Sequence, residues 1–330
     1  VEQHAFASPD DPVAGFVVRA GGVGLLRVVD NGSKDSTEEM VESIQPTFSC
    51  SLQYVNLGFN RGFAEAANVG IRSASTEFVA LLNNDTETDG GWVETGIAAL
   101  HQYPDYAIFA SRIIDYRRRD QLDSAGDCYD RGGIPYKRGR GQPKDRFSEI
   151  EPVLAASAAA AFYRRSLFDE IGFFDEDFFM YLEDVDFCLR AQVAGHCCLY
   201  LPDAIVYHME AASDPERGTP GLAVDRHQPI AGSGSGPPRI YYSSTRVFWI
   251  TRNRWILMII YQPAAHTLSL AFGWLKSGIF HLMKRGFFGA FLRGLWAGLR
   301  NTPPAWRKRR EWKHQCTLTT KQRRQLFRML

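Results

Sequence analysis

Four short stretches bring chemically active side chains together. In VVDNGS, Asp30 and Asn31 end an apolar run and offer a carboxylate and a carboxamide. Such groups can pair with the edge of a pyrimidine base, although an Asp-Asn-Gly turn also forms simply because those residues tolerate tight turns. In LLNNDTE, Asn83, Asn84 and Asp85 reach the end of another apolar run together. Hard oxygen donors there suit Mg²⁺ or Mn²⁺ held chiefly by a nucleotide diphosphate, the plainer alternative being a polar strand-to-loop turn. MYLEDVDFCLR carries Glu183, Asp184 and Asp186. Glu183 and Asp184 fall at the predicted start of a helix, where the dipole favours ionised carboxylates. A carboxylate kept charged there can act as general base toward a hydroxyl, or can only cap the helix. His208 closes a fourth run, AIVYH.

These groups need rigid elements beneath them. Leu25–Asp30 and LQYVN read as short strands, and the latter half of NLGFNRGFAEAANVGIRSA has helical spacing. EFVALLNND is an apolar run bounded by polar residues, as expected of a strand covered on both faces. The alternation predicts an α/β fold, a doubly wound, mostly parallel sheet with flanking helices. Ligands of such sheets bind beyond the carboxyl ends of the strands, where Asp30 and Asp85 stand. Residues 115–150 are polar and read as a long irregular excursion. Helices are predicted at Ser166–Ile171 and at Asp184–Ala194, the second closed by Gly195. Residues 213–239 have the composition of a flexible linker, which divides the chain into 1–212, 213–239 and 240–330.

The net charge of +1 conceals a strong asymmetry. From Arg239 onward 18 Lys/Arg face one acid, a net of +17, while the preceding residues carry 20 Lys/Arg and 36 acids, a net of −16. Such a basic region suits an anionic membrane surface or a nucleic acid; the apolar faces beside it and the acidic main domain favour the membrane. The window Trp255–Leu275 has no formal charge and the length of a membrane span, but contains Gln262, Pro263 and His266. Further on, a helical projection gathers Phe287, Phe288, Phe291, Leu295 and Leu299 on one side, opposite Gly286, Gly289, Arg293 and Arg300. That pattern suits an amphipathic helix in a membrane interface, or one packed on the main domain. The six cysteines form no CxxC pair, and the first residues lack a signal-peptide pattern. A cytoplasmic protein, peripheral on the inner face of the membrane, is expected.

The ordered series VVDNGSKDST, NLGFNRGFAEAANVGI, LLNNDTE, FYRRSLFDEIGFFDEDFFMYLEDVDFCLRAQVAGH and VYH resembles glycosyltransferase family 2, specifically its rhamnosyltransferase-like branch. The likeness covers residues 25–210, and YYSSTRVFWITRNRWILM resembles the C-terminal part of that branch. It implies a GT-A fold, a Mg²⁺ or Mn²⁺ cofactor, and inverting transfer of a sugar from a nucleotide-diphosphate donor to a glycan or lipid-linked acceptor. Asp30, Asn31, Gly62, Asn68, Asn83 and Asn84 would then contact the nucleotide sugar. Asp85 and His208 would hold the metal or diphosphate, and Asp184, beside Glu183, would deprotonate the acceptor. Members of that family begin with a strand, a polar turn and a helix before the VVD strand. Here GFVV, at 15–18, lies too close to RVVD to leave room for that helix. A member that binds nucleotide sugar without full activity is the alternative; a nucleotidyltransferase would leave the Glu183–Asp184 pair and His208 without a use.

Overall fold

The computed structural model describes residues 13–19, 22–48, 50–129, 134–210, 243–262 and 286–315. Its strands are β1 (Val13–Arg19), β2 (Gly22–Asp30), β3 (Ser51–Asn56), β4 (Phe78–Asn83), β5 (Thr86–Thr88) and β6 (Tyr106–Asp115). Then come β7 (Leu122–Ser124), β8 (Asp127–Tyr129), β9 (Pro135–Lys137), β10 (Glu151–Val153), β11 (Ala160–Arg164) and β12 (Cys197–His208). The helices are α1 (Thr37–Ile44), α2 (Phe63–Arg72), α3 (Trp92–Gln102), α4 (Arg165–Ile171), α5 (Glu183–Ala194), α6 (Ser244–Tyr261), α7 (Phe288–Arg300) and α8 (Thr302–Gln315).

The main sheet runs β10-β12-β6-β11-β4-β1-β2-β3, with β5 against β12 and β7 against β6. The α/β layering is as expected, but the sheet is mixed rather than mostly parallel. Among the described residues only β2/β3 and β6/β12 pair in parallel. Two connections explain the rest. β1 and β2 form a tight hairpin, with Arg19 opposite Gly22, so they must run antiparallel. β1 therefore occupies the sheet between β2 and β4 in reverse, and GFVV fills a strand position without an intervening helix. β11 is entered from the excursion that leaves β6 at the carboxyl edge, so it starts at that edge and runs back between β6 and β4. The strands β2, β4, β6 and β12 still end on one side, which carries Asp30, Asn83, Asp115 and His208.

Period-two alternation covers both sheet faces. Val79 and Leu81 of β4, with Ala161 and Tyr163 of β11, face α2, α4 and α5, where Ile71, Phe168 and Phe187 are buried. Phe78 and Ala80, with Ala160 and Phe162, face α3, whose Trp92 meets the Phe162 ring at 4.4 Å. The predicted helices at 166–171 and 184–194 are present, and Gly195 closes the second in the left-handed conformation.

The division at residue 240 does not match the packing. Ile256, Leu257, Ile259, Ile260 and Tyr261 of α6 belong to the same core as α4 and α5. Burying each such side chain is worth roughly 1.5–3 kcal/mol, so α6 belongs to the same folded unit as the sheet and its helices. The predicted amphipathic helix is also realised differently. Phe291 of α7 is buried, and Phe287, Phe288 and Leu295 pack beside it on α6. Gly294 allows the contact, since a Cβ there would lie 2.5 Å from the Phe248 carbonyl oxygen. Most of the face expected in the membrane thus faces protein; Leu299 stays exposed, as do Leu292 and Trp296. Residues 213–239 and the later part of the Trp255–Leu275 window lie outside the described residues.

Candidate active site

The end of β2 forms one wall. Asp30 is buried; its Oδ1 accepts from the Ser33 amide at 2.7 Å and its Oδ2 from the Tyr54 hydroxyl. Asn31 is equally buried, and its carboxamide is fully engaged by the loop that follows β3. It donates to Asn60 Oδ1 and to the Gly62 carbonyl, both at 3.1 Å, and accepts from the Arg61 amide at 2.7 Å. Asn31 thus shapes this wall by fixing the loop. Gly62 starts α2 with φ of +87°, where a Cβ would stand 2.5 Å from the Phe179 carbonyl oxygen, so its lack of a side chain lets two loops meet. Asn68 is fully buried elsewhere. It donates to the Phe174 carbonyl at 2.8 Å and to Glu176 at 3.0 Å, and accepts from the Phe174 amide at 3.0 Å. The structure makes Asn68 a fastener of the FFDEDFF segment and takes it out of the expected ligand-contacting set.

The centre forms where β4 and β12 end together. The Met209 amide donates to the Asp85 carbonyl at 2.9 Å, which draws the two chain ends side by side. Asp85 Oδ1 and His208 Nε2 stand 3.3 Å apart, both side chains buried. The other ring nitrogen, Nδ1, lies 2.9 Å from Asp123 Oδ2. Burial alone would lower the His208 pKa, but the charges of Asp85 and Asp123 outweigh it and raise it to about 10. Burial likewise opposes ionisation of Asp123, yet Lys137 and His208 hold its carboxyl well below the usual carboxylate range. Lys137 Nζ lies 2.6 Å from Asp123 and 3.5 Å from Glu210, and Glu210 is further paired with Arg140 and Arg246. The result is a continuous chain of alternating charge from Asp85 to α6, buried at Asp85, His208 and Asp123 and half-buried beyond.

The third wall is the start of α5. Asp184 Oδ2 accepts from the Ala158 amide at 3.1 Å, and Oδ1 from the Val185 amide at 2.8 Å. Ala159, the next residue, accepts from the Asn83 amide at 2.9 Å, so one backbone segment joins the Asp184 carboxylate to the Asn83–Asp85 turn. Burial raises the Asp184 pKa against the pull of those amides. Glu183 is buried more deeply; burial and the neighbouring Asp184 charge push its pKa well up. Asp186 takes another part, binding Arg190 at 2.9 Å and accepting from the Tyr261 hydroxyl at 2.8 Å. Of the three acids, Asp184 is the one left partly open to solvent.

Two donors, Asp85 and His208, suit a divalent ion, and no group of three or more acidic, histidine or cysteine side chains among the described residues could hold one. Two protein donors, one a hard oxygen and one an imidazole, fit Mg²⁺ or Mn²⁺ that takes its remaining oxygens from a diphosphate. Asn83 Oδ1 is buried with no hydrogen-bond partner among the described residues, a further acceptor beside the pair. Sequence reasoning missed Asp123, Lys137, Arg140 and Glu210. The first three lie in the 115–150 excursion, which is built of β7, β8 and β9 and folds back over the strand ends. The acids of LDSAGD followed by the bases of YKRGR were the available signal.

A sequence profile described as Glycosyl transferase family 2 matches residues 26–172. These residues form a glycosyltransferase family 2 domain. The mixed sheet with helices on both faces is its GT-A fold. Relatives of the domain include the low-salt glycan biosynthesis hexosyltransferase Agl10 of Haloferax volcanii, 26% identical over 56% of this chain and 58% of the relative. Another is an N-acetylglucosaminyl-diphospho-decaprenol L-rhamnosyltransferase of Mycobacterium tuberculosis, 28% identical over 56% of this chain and 66% of the relative. The chain therefore spans under two thirds of these relatives' length. A mannosyltransferase from Pyrobaculum calidifontis, solved with GDP-Man and Mn²⁺, superposes with a TM-score of 0.44 at 14% identity, over 92% of this chain and 73% of that one. Glu183, Asp184 and His208 lie beyond the residues matched by the profile.

Proposed function

We propose that this glycosyltransferase moves a hexose, rhamnose in the first instance, from a nucleotide-diphosphate donor to a hydroxyl of a glycan or lipid-linked acceptor, with inversion. The observation that carries the reading is the convergence of Asp85, His208 and Asp184 on one sheet edge, within one backbone segment of each other. The rhamnose assignment leans on the mycobacterial relative's name. Asp85 and His208 would hold Mg²⁺ or Mn²⁺, which offsets the charge left on the departing diphosphate. Asp30 lies at the wall expected to receive the base, and Asn83 and Asn84 beside the diphosphate. The acceptor oxygen attacks the anomeric carbon as the bond to the diphosphate oxygen breaks. Asp184 takes the hydroxyl proton, and its raised pKa makes it the stronger base.

The test is thermal shift and calorimetry with UDP-, dTDP- and GDP-sugars, with and without Mn²⁺. Binding of one donor class that strengthens with Mn²⁺ supports the reading; no Mn²⁺-dependent binding of any of them overturns it. The reversed β1 favours a second reading, a member that binds donor without transferring it. β1 brings its first residues, not a turn and helix, to the catalytic edge. Donor binding without sugar release to any acceptor or to water would select that reading.

An anionic membrane is the proposed surface partner. No helix among the described residues is long and apolar enough to cross a membrane. Leu292, Trp296 and Leu299 form an exposed ridge on α7, flanked by Arg293 and Arg300, which suits the inner face of a membrane. Flotation with anionic vesicles that is lost in Leu292→Ser/Trp296→Ser/Leu299→Ser supports it; equal binding of that variant, or preference for single-stranded RNA, overturns it.

A further inference from the structure

The residues just before the Glu183–Asp184 pair adopt backbone conformations that their types disfavour. Phe179, Tyr181 and Leu182 have φ of 62°, 67° and 72°, in a stretch, FFMYL, without glycine. A Cβ clashes with the backbone in that left-handed region, so three such residues among four persist only if the surroundings hold them there. Leu182 is also the N-cap of α5, with no side-chain bond of its own to start the helix. The direction in which α5 leaves, and with it the position of Asp184, is set by this turn.

The turn is held from α6. Asn253 is fully buried, and its Nδ2 donates toward the carbonyls of Phe178, Met180 and Tyr181 at 2.9, 2.9 and 2.8 Å. Its Oδ1 accepts from Arg252 Nη1 at 2.7 Å, and the same Nη1 donates to the Asp177 carbonyl at 2.6 Å. Arg252 has no acceptor to offer, so the carboxamide can sit only with its oxygen toward Arg252 and its nitrogen toward the turn. Across the turn, the Phe179 carbonyl accepts from the Ala64 amide at 3.1 Å and the Phe179 ring stacks on Trp249 at 4.6 Å. Asn253 thus ties together three carbonyls of the turn, those of Phe178, Met180 and Tyr181, from one side chain. A carboxylate in its place would repel all three carbonyls, and an alanine would remove the donor that they share.

We propose that Asn253 is a positioning residue for the catalytic base: by holding the Phe179–Leu182 turn in its left-handed form it places the Asp184 carboxylate at the acceptor hydroxyl. The inference rests on Asp184 being the base. A misplacement of about 1 Å costs about 10²-fold in rate, while Asp85 and His208, which would hold the donor's diphosphate, stand at the ends of other strands. Asn253→Ala and Asn253→Asp should therefore lower kcat by about tenfold or more and leave the Kd of Mn²⁺–UDP, –dTDP or –GDP within about threefold. Glycine accepts a positive φ freely, so Leu182→Gly should make the turn less dependent on Asn253. The kcat loss from Asn253→Ala should then be smaller in the Leu182→Gly background than in the wild type.

The experiment measures kcat as nucleoside diphosphate release from UDP-GlcNAc, dTDP-rhamnose and GDP-mannose, with Kd by calorimetry, on the full chain carrying each variant. Amide hydrogen exchange at 179–184 is followed in parallel. The expected result is reduced kcat with retained donor affinity, partial rescue by Leu182→Gly, and faster exchange at 179–184 while the interior of α5 stays protected. Unchanged kcat in Asn253→Asp, or unchanged exchange at 179–184 in Asn253→Ala, overturns the proposal; so do equal losses of kcat and donor affinity. If Asn253→Asp does not fold, the exchange result on Asn253→Ala decides. Full turnover by Asp184→Asn would instead overturn the assignment of the base, whatever the Asn253 variants do.

Discussion

Metal binding at the Asp85–His208 pair should release a proton, and the amount follows from the geometry. His208 sits between two carboxylates, 3.3 Å from Asp85 and 2.9 Å from Asp123, which overcome the effect of burial and raise its pKa to about 10. Nε2 can bind a cation only after its proton leaves. At about pH 7, three units below that pKa, roughly one molecule in 10³ carries a neutral imidazole, which weakens metal binding by about 4 kcal/mol. The sign is fixed: affinity rises with pH and levels off once pH passes the His208 pKa. Between about pH 7 and 9, where the terminal phosphate of UDP (pKa about 6) is already ionised, the Kd of Mn²⁺–UDP should fall about tenfold per unit. Calorimetry in buffers of different ionisation heat should show about one proton released per metal bound. His208→Asn should remove the slope. A Kd independent of pH over that range, with no proton released, would refute His208 as a metal ligand protonated in the free protein.

Other substitutions separate chemistry from scaffolding. Asp184→Asn should cut turnover by about 10²–10⁴-fold and leave donor affinity nearly intact; full turnover with a lowered melting temperature would make Asp184 a helix cap alone. Asn68→Ala breaks three buried contacts to Phe174 and Glu176. It should lower stability by about 1–3 kcal/mol in urea denaturation without a direct effect on donor Kd. Gly294→Ala puts a methyl 2.5 Å from the Phe248 carbonyl oxygen. It should destabilise the α6–α7 contact by about 1–3 kcal/mol; an unchanged urea midpoint would contradict the packing. Residues 1–242 alone should not fold cooperatively, because the α6 core side chains, at roughly 1.5–3 kcal/mol each, together rival a typical domain stability of about 5–15 kcal/mol. A sharp melt with near-UV circular dichroism from that fragment would show that the core does not need α6.

The parts of the site readable from sequence are those that local rules determine. VVD, LLNND and IVYH are apolar runs ending in polar residues, and strand ends are where an α/β sheet binds ligands. The extent of α5 was legible from the acids at its start and Gly195 at its end. What sequence spacing could not supply is pairing at long range. Asp123 reaches His208 across 85 positions, and nothing in a polar stretch tells which of its acids will fold back to the sheet. The direction of β1 depended on a hairpin turn rather than on its apolar pattern. For α7, the projection found the amphipathic face but not its partner. Gly294 and Gly298, four apart beside Phe291, were the sign that this face closes on another helix, and both glycines are buried against α6.

The position of α6 changes what the basic C-terminal region is for. Its Arg246 ends the charge chain that begins at Asp85 and His208, through Glu210, Lys137 and Asp123. Its Asn253, two turns on, holds the backbone that sets the direction of α5. One helix therefore touches both the metal-side and the base-side walls of the site, and its apolar face lies in the core shared with α5. Any load on α7, which packs along α6 through Gly294 and Gly298, is transmitted to the element that spaces those two walls. In the proposed arrangement, with α7 against a membrane, such a link would keep an acceptor docked there in register with Asp184. A flexible tether would lose that registration through the entropy of its own motion. The positive charge that looks like a surface tail in the sequence is thus partly internal: Arg246, Arg252 and Arg309 carry buried hydrogen bonds, while Arg293 and Arg300 remain outside.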